Sequence, residues 1–107
     1  MTKITFEEYQ LAAAKTAIYS GSIDVMYPAL GLAGEVGEMC NKIKKHYRDG
    51  TPLDTDDLRK ELGDVLWYLA ALATDLDIDL EQAAGENLEK LADRDARGVI
   101  GGSGDYR

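Results

Sequence analysis

Two short segments of this sequence repeat one pattern of acids. Leu32-Ala33-Gly34-Glu35-Val36-Gly37-Glu38-Met39 and Leu58-Arg59-Lys60-Glu61-Leu62-Gly63-Asp64-Val65 both read leucine, two residues, glutamate, apolar, glycine, acid, apolar. Residues three apart on a helix are neighbours on one side, so Glu35 with Glu38, and Glu61 with Asp64, each form a pair of carboxylates. At helical spacing the first acid of each pair falls nearer the apolar stripe. Antiparallel packing of two such helices brings four carboxylates together at the edge of a bundle. Four converging negative charges repel one another, and divalent cations remove that repulsion. An all-oxygen donor set suits Mg²⁺, or Mn²⁺, better than zinc. Glu35, Glu38, Glu61 and Asp64 are therefore candidate metal ligands and candidate catalytic acids. A single Glu-x-x-Glu is ordinarily a solvated helix face; the repeat, with glycine at the same place in each copy, argues for a shared role.

Four helical segments are available to position these acids. Thr5-x-x-Glu8 has the form of a capping box and opens a first helix predicted to reach about Tyr19, before a break at Gly21-Ser22. A second helix is predicted from near Tyr27 or Pro28, since proline is tolerated in a first turn, to about Tyr47, stopping at Asp49-Gly50. A third runs from about Thr55 to Asp75, with Leu58, Leu62, Val65, Leu66, Leu69, Leu72 and Leu76 along one face. After a break at Asp77-Ile78, Asp79 caps a fourth helix that runs to about Arg97. Residues 98–107 are glycine-rich and lack periodicity, and no segment alternates convincingly as a strand. The expected fold is all-α: a four-helix bundle-like domain over residues 1–97 with an irregular C-terminal tail over residues 98–107.

Gly31, Gly34, Gly37 and Gly63 lie inside or near these helices, where each costs up to about 1 kcal/mol relative to alanine. Close helix approach, access for a ligand, or a later helix start after Gly31 and Gly34 would each account for them. Trp67 lies roughly opposite the leucine stripe of the third helix, and Ala70, Ala71 and Thr74 extend that face. A helix apolar nearly all round is usually buried, and four short helices cannot easily cover one. The expectation is at least a homodimer, with the third helix near the interface.

Composition bounds the function. The chain has 107 residues, 45% hydrophobic and 30% charged, with a net charge of −8; that is an ordinary globular composition for one domain. The negative balance argues against a nucleic acid polymer as partner, because backbone binding needs a clustered basic face. It leaves room for a polyanionic small substrate where bound cations reverse the local field. Cys40 is the sole cysteine, so an intrachain disulfide is impossible. No apolar run approaches the ~20 residues of a membrane helix, and the N-terminus lacks a signal core. A cytoplasmic location is expected. His46, alone in the chain, and Cys40, at the edge of an apolar stripe, are read as structural.

The acid pattern resembles that of the MazG-like family of all-α nucleoside triphosphate pyrophosphohydrolases, whose hallmark is Glu-Glu-x-x-Glu followed by Glu-x-x-Asp. The matching residues are Gly34-Glu35-Val36-Gly37-Glu38 and Glu61-Leu62-Gly63-Asp64; Gly34 stands where the family has its first glutamate, and the four metal-binding acids are all present. Asn87-Leu88-Glu89-Lys90-Leu91-Ala92-Asp93-Arg94 is similar to the family's Asn-x-x-Lys-x-x-x-Arg segment on its last helix. Asn87, Lys90 and Arg94 share one face, an amide and two cations suited to phosphate oxygens; the plain alternative is a solvated face with Glu86–Lys90 pairing. The resemblance implies Mg²⁺-dependent hydrolysis of an NTP or dNTP to the monophosphate and pyrophosphate, in a homodimer or homotetramer. Residues Gly101, Gly102, Gly104 and Arg107 of the tail could add backbone N–H groups and a cation to the phosphate grip, or the tail could be disordered. A related dUTPase or phosphoribosyl-ATP pyrophosphohydrolase is one alternative. A catalytically silent helical interaction module is another.

Overall fold

The computed structural model describes residues 3–19 and 25–107. Within them it holds four helices: α1 (Phe6–Ala14), α2 (Met26–Asp49), α3 (Thr55–Asp75) and α4 (Leu80–Ala96), and no strand. The all-α expectation and the four segments are met.

Local sequence explains most of the helix ends. The Thr5 hydroxyl accepts from Glu8 N–H while the Glu8 carboxylate accepts from Thr5 N–H, both at 3.1 Å, so the capping box closes in both directions. The carboxylates of Asp54 and Asp79 cap α3 and α4 in the same way, each accepting from two first-turn N–H groups. Gly50 ends α2 in the left-handed conformation (φ 70°) that glycine adopts without penalty. Asp77 takes the corresponding position after α3 (φ 57°), where Ile78 N–H returns to the Ala73 carbonyl.

One boundary differs from expectation. Helix α1 stops at Ala14 rather than near Tyr19. Thr16 turns its hydroxyl back onto the Ala13 carbonyl and accepts from the Trp67 indole N–H at 2.8 Å. A threonine side chain that bonds locally competes with the helix ladder, and here a tertiary partner on α3 reinforces the exit. The break expected at Gly21-Ser22 lies outside the described residues.

Helices α2 and α3 form an antiparallel hairpin. Contacts step down α2 as they step up α3: Lys42 meets Asp57 and Glu61, while Gly31 faces Tyr68. At Gly31 the two helices approach closely, since a Cβ there would lie 2.2 Å from Tyr68 Cε1. Gly31 and Gly34 both sit inside α2, so close approach accounts for the first, and no later helix start is involved.

Helix α1 crosses α3 and also packs on α4. Ala13, Ala70, Ala73 and Leu80 form the buried cluster, with Tyr9 and Trp67 against it. The Gln10 amide secures the α3–α4 turn, donating to the Ile78 carbonyl (2.8 Å) and accepting from Leu80 N–H (2.9 Å). The Trp67 and small-residue face of α3 is thus covered by α1 within the chain. On the leucine side Leu62, Leu69 and Leu76, seven residues apart, are exposed, while Leu58, Val65, Leu66 and Leu72 are half-buried. The Cα radius of gyration is 16.8 Å, against about 13 Å for a compact chain of this length.

Candidate metal centre

The antiparallel hairpin sets the two acid motifs against each other. Oxygens of Glu35 and Glu38 on α2 and Glu61 on α3 all lie within 4.8 Å of one another, a grouping that could hold a metal ion. Glu35 and Glu61 are half-buried and Glu38 is exposed, because the first acid of each motif falls closer to the helix–helix seam. Asp64 is exposed and stands outside this trio. Its charge still reaches Glu35, Tyr9 and Tyr68, raising the pKa of each.

Glu35 Oε2 and Glu61 Oε2 are both buried and accept no hydrogen bond. A buried carboxylate oxygen without a donor is costly, and two on neighbouring carboxylates are more so. Burial pushes the Glu35 carboxyl above its ordinary value, and Glu61, Glu38 and Asp64 push it further the same way. Glu61 is held below the usual carboxylate range, chiefly by the Lys42 ammonium. A hard divalent cation among these oxygens would satisfy both orphaned atoms and remove the repulsion, so the donor set fits Mg²⁺ or Mn²⁺.

Lys42 was not among the candidates read from the sequence. It donates to Glu61 Oε1 at 3.0 Å and to Asp57 Oδ2 at 2.5 Å. Helical spacing carried the signal: Lys42 lies four residues after Glu38, and Asp57 four residues before Glu61, so each shares a face with a candidate ligand.

Lys90 and Arg94 of the α4 triad are engaged elsewhere. Lys90 Nζ lies 2.8 Å from Asp105 Oδ1, and the buried Arg94 donates to the same carboxylate and to the Asp105 carbonyl. Glu86 accepts from Gln82 rather than from Lys90. Arg107 donates to the carbonyls of Val99, Gly101, Gly104 and Ile100, so residues 98–107 fold back along the end of α4. Gly98, Gly102 and Gly104 supply the positive φ values of that return. Among the described residues, no hydrogen bond or ion pair joins Asn87, Lys90 or Arg94 to the four acids. His46 Nδ1 bonds the Thr51 carbonyl after α2, and Cys40 is exposed. No described helix is long and apolar enough to cross a membrane.

The profile of the MazG nucleotide pyrophosphohydrolase domain matches residues 28–99, which contain both acid motifs and the Asn-Lys-Arg segment of α4. The Gene 37 protein of Mycobacterium phage L5 is 50% identical over 109 aligned positions, covering 92% of this chain and 96% of that protein. The uncharacterized protein YpjD of Bacillus subtilis (strain 168) is 36% identical over 67 positions, 60% of each chain. No solved structure matches the chain significantly.

Proposed function

Because the chain belongs to the MazG nucleotide pyrophosphohydrolase domain family, we propose that it hydrolyses a nucleoside triphosphate, NTP or dNTP, between the α- and β-phosphates with Mg²⁺ as cofactor. The products are the monophosphate and pyrophosphate. The observation that carries this reading is the trio Glu35, Glu38 and Glu61, two of whose carboxylates carry a buried, donorless oxygen.

In this reading Glu35, Glu38, Glu61 and Asp64 hold the metal. The chemistry an ion supplies there is charge neutralisation of the triphosphate and a lowered pKa for the attacking water. The protein's own part is positional. The half-buried pair Glu35 and Glu61 sets the depth of the site. Glu38 and Asp64, nearer solvent, face the side from which substrate enters. Asn87, Lys90 and Arg94 bind phosphate oxygens, with Asp105 as the group that Lys90 and Arg94 exchange for substrate. Residues 1–97 then form the hydrolase domain and residues 98–107 a tail anchored on its phosphate-binding helix. A cytoplasmic setting fits the lone free thiol of Cys40.

The working unit is a homodimer or homotetramer. The exposed Leu62, Leu69 and Leu76 on α3 leave apolar surface that one copy does not cover. A second copy on α3 would bury it.

Pyrophosphate release from a panel of NTPs and dNTPs, with and without Mg²⁺, tests the function. The expected result is metal-dependent release that Glu38→Gln lowers by orders of magnitude with helical content intact. A folded wild-type protein that releases none from any nucleotide would instead be a silent helical module.

A further inference from the structure

Among the described residues, Lys42 is the only cation in an ion pair with any of the four acids. The arrangement is asymmetric. Lys42 occupies Glu61 Oε1, while Glu61 Oε2 stays buried and without a donor, on a carboxylate that has an oxygen within 4.8 Å of oxygens of Glu35 and Glu38. Asp57 holds the same ammonium at the shorter distance of 2.5 Å, a second anchor outside the acid cluster. The terminal torsion of a glutamate is broad and roughly two-fold, so an untethered Glu61 could rotate either oxygen, or both, toward a cation.

We infer that Lys42, anchored by Asp57, is a positioning residue: it fixes the rotation of the Glu61 carboxylate so that Oε2 alone is presented to a divalent cation. The inference rests on the metal-site reading above and adds to it a partner outside the ligand set. Hydrogen-bond partners of ligating carboxylates commonly matter 10- to 100-fold in metal affinity. Helical register delivers this one. Lys42 stands one turn beyond Glu38 on α2 and Asp57 one turn before Glu61 on α3, so the packing that joins the acids also joins their support.

A spectator lysine and a positioning lysine predict opposite signs. A positive charge beside a cation site repels the incoming ion, so removing a spectator tightens metal binding. Removing a positioning group weakens it. The test is Mn²⁺ binding without nucleotide, followed by electron paramagnetic resonance of the free ion, on wild type, Glu38→Gln, Lys42→Met, Lys42→Arg and Asp57→Asn. Circular dichroism of each variant reports helix content. Lys42→Met should raise the Mn²⁺ Kd by about 10- to 100-fold. Lys42→Arg should recover most of the affinity, and Asp57→Asn should weaken binding in the same direction as Lys42→Met. Adding Lys42→Met to Glu61→Gln should cost nothing more, since there is no ionised carboxylate left to orient. Unchanged or tighter binding in folded Lys42→Met overturns the assignment. Should that variant fail to fold, wild-type affinity in Asp57→Asn overturns it instead. Mn²⁺ binding that Glu38→Gln does not weaken overturns the metal site itself, a distinct result.

Discussion

Replacing Gly31 by alanine should destabilise the protein although alanine is the better helix former. The structure sets the two opposing terms. Alanine gains about 1 kcal/mol over glycine in a helix interior. Against it, the new Cβ would lie 2.2, 2.4 and 2.7 Å from three atoms of the Tyr68 ring. Ordinary carbon contacts begin near about 3.5 Å, so the ring or the helix must retreat by more than about 1 Å. The ring is not free to do so: Tyr68 packs edge-on to Trp67 at 5.1 Å and stands 6.3 Å from Tyr27, which stacks on Tyr19. Overpacking of this kind costs about 1–3 kcal/mol, and the size of the overlap argues for the upper end. The net expectation is a loss of about 2 kcal/mol, a fall in Tm on the order of 10 °C. Gly85 on α4 provides the contrast, because a Cβ added there would have nothing within 4 Å. Gly85→Ala should stabilise by up to about 1 kcal/mol. Urea unfolding followed by circular dichroism, at one fixed protein concentration to hold any association constant, measures both. A Gly31→Ala variant as stable as wild type, or more so, would refute the close-approach account of Gly31.

Four further outcomes are expected. Mg²⁺ should raise the Tm of wild type, by an amount equivalent to about 2.7 kcal/mol at 100 times Kd, and should not raise that of Glu61→Gln; equal shifts would remove Glu61 from the site. Lys90→Ala should raise the Kd of a non-hydrolysable triphosphate analogue by roughly 10- to 150-fold, and an unchanged Kd in calorimetry would take α4 out of the site. Lys90 first, then Arg94, hold the Asp105 carboxyl below its ordinary value; a lowered carboxylate contributes stability that is present above its unfolded pKa and lost as pH falls through the folded one. Protection of residues 98–107 against hydrogen exchange, relative to the intrinsic rate at each pH, should therefore fall on the acid side of about pH 4, and an Asp105→Asn variant that kept the same acid dependence would assign it elsewhere. Light scattering should find at least a dimer at micromolar concentration, and Leu69→Lys should shift it toward monomer; a monomeric wild type would end the oligomer proposal.

The sequence by itself determined the helices, because their ends are decided by neighbours. Thr5-x-x-Glu8, Asp54, Asp79 and Gly50 each satisfy backbone groups within three or four residues, so no distant contact is needed to read them. It also determined which acids are candidates, since a repeated motif at helical spacing puts Glu35 beside Glu38 and Glu61 beside Asp64 without reference to anything else. What only the tertiary structure decided is what crosses between helices. The early end of α1 depends on Trp67 reaching Thr16 from 51 residues away, and the need for glycine at position 31 depends on a tyrosine from the facing helix. Which face of α3 is covered was likewise beyond periodicity. Both its leucine side and its Trp67-alanine side are apolar, and the packing of α1 buries Ala70 and Ala73 while Leu62, Leu69 and Leu76 stay exposed. Lys42 shows the same division at the candidate site: its helical face was legible, but an ion pair with Glu61 exists only once the antiparallel register of α2 and α3 sets the two side chains 3.0 Å apart. Local hydrogen bonding is written along the chain, whereas register and burial belong to the packed helices.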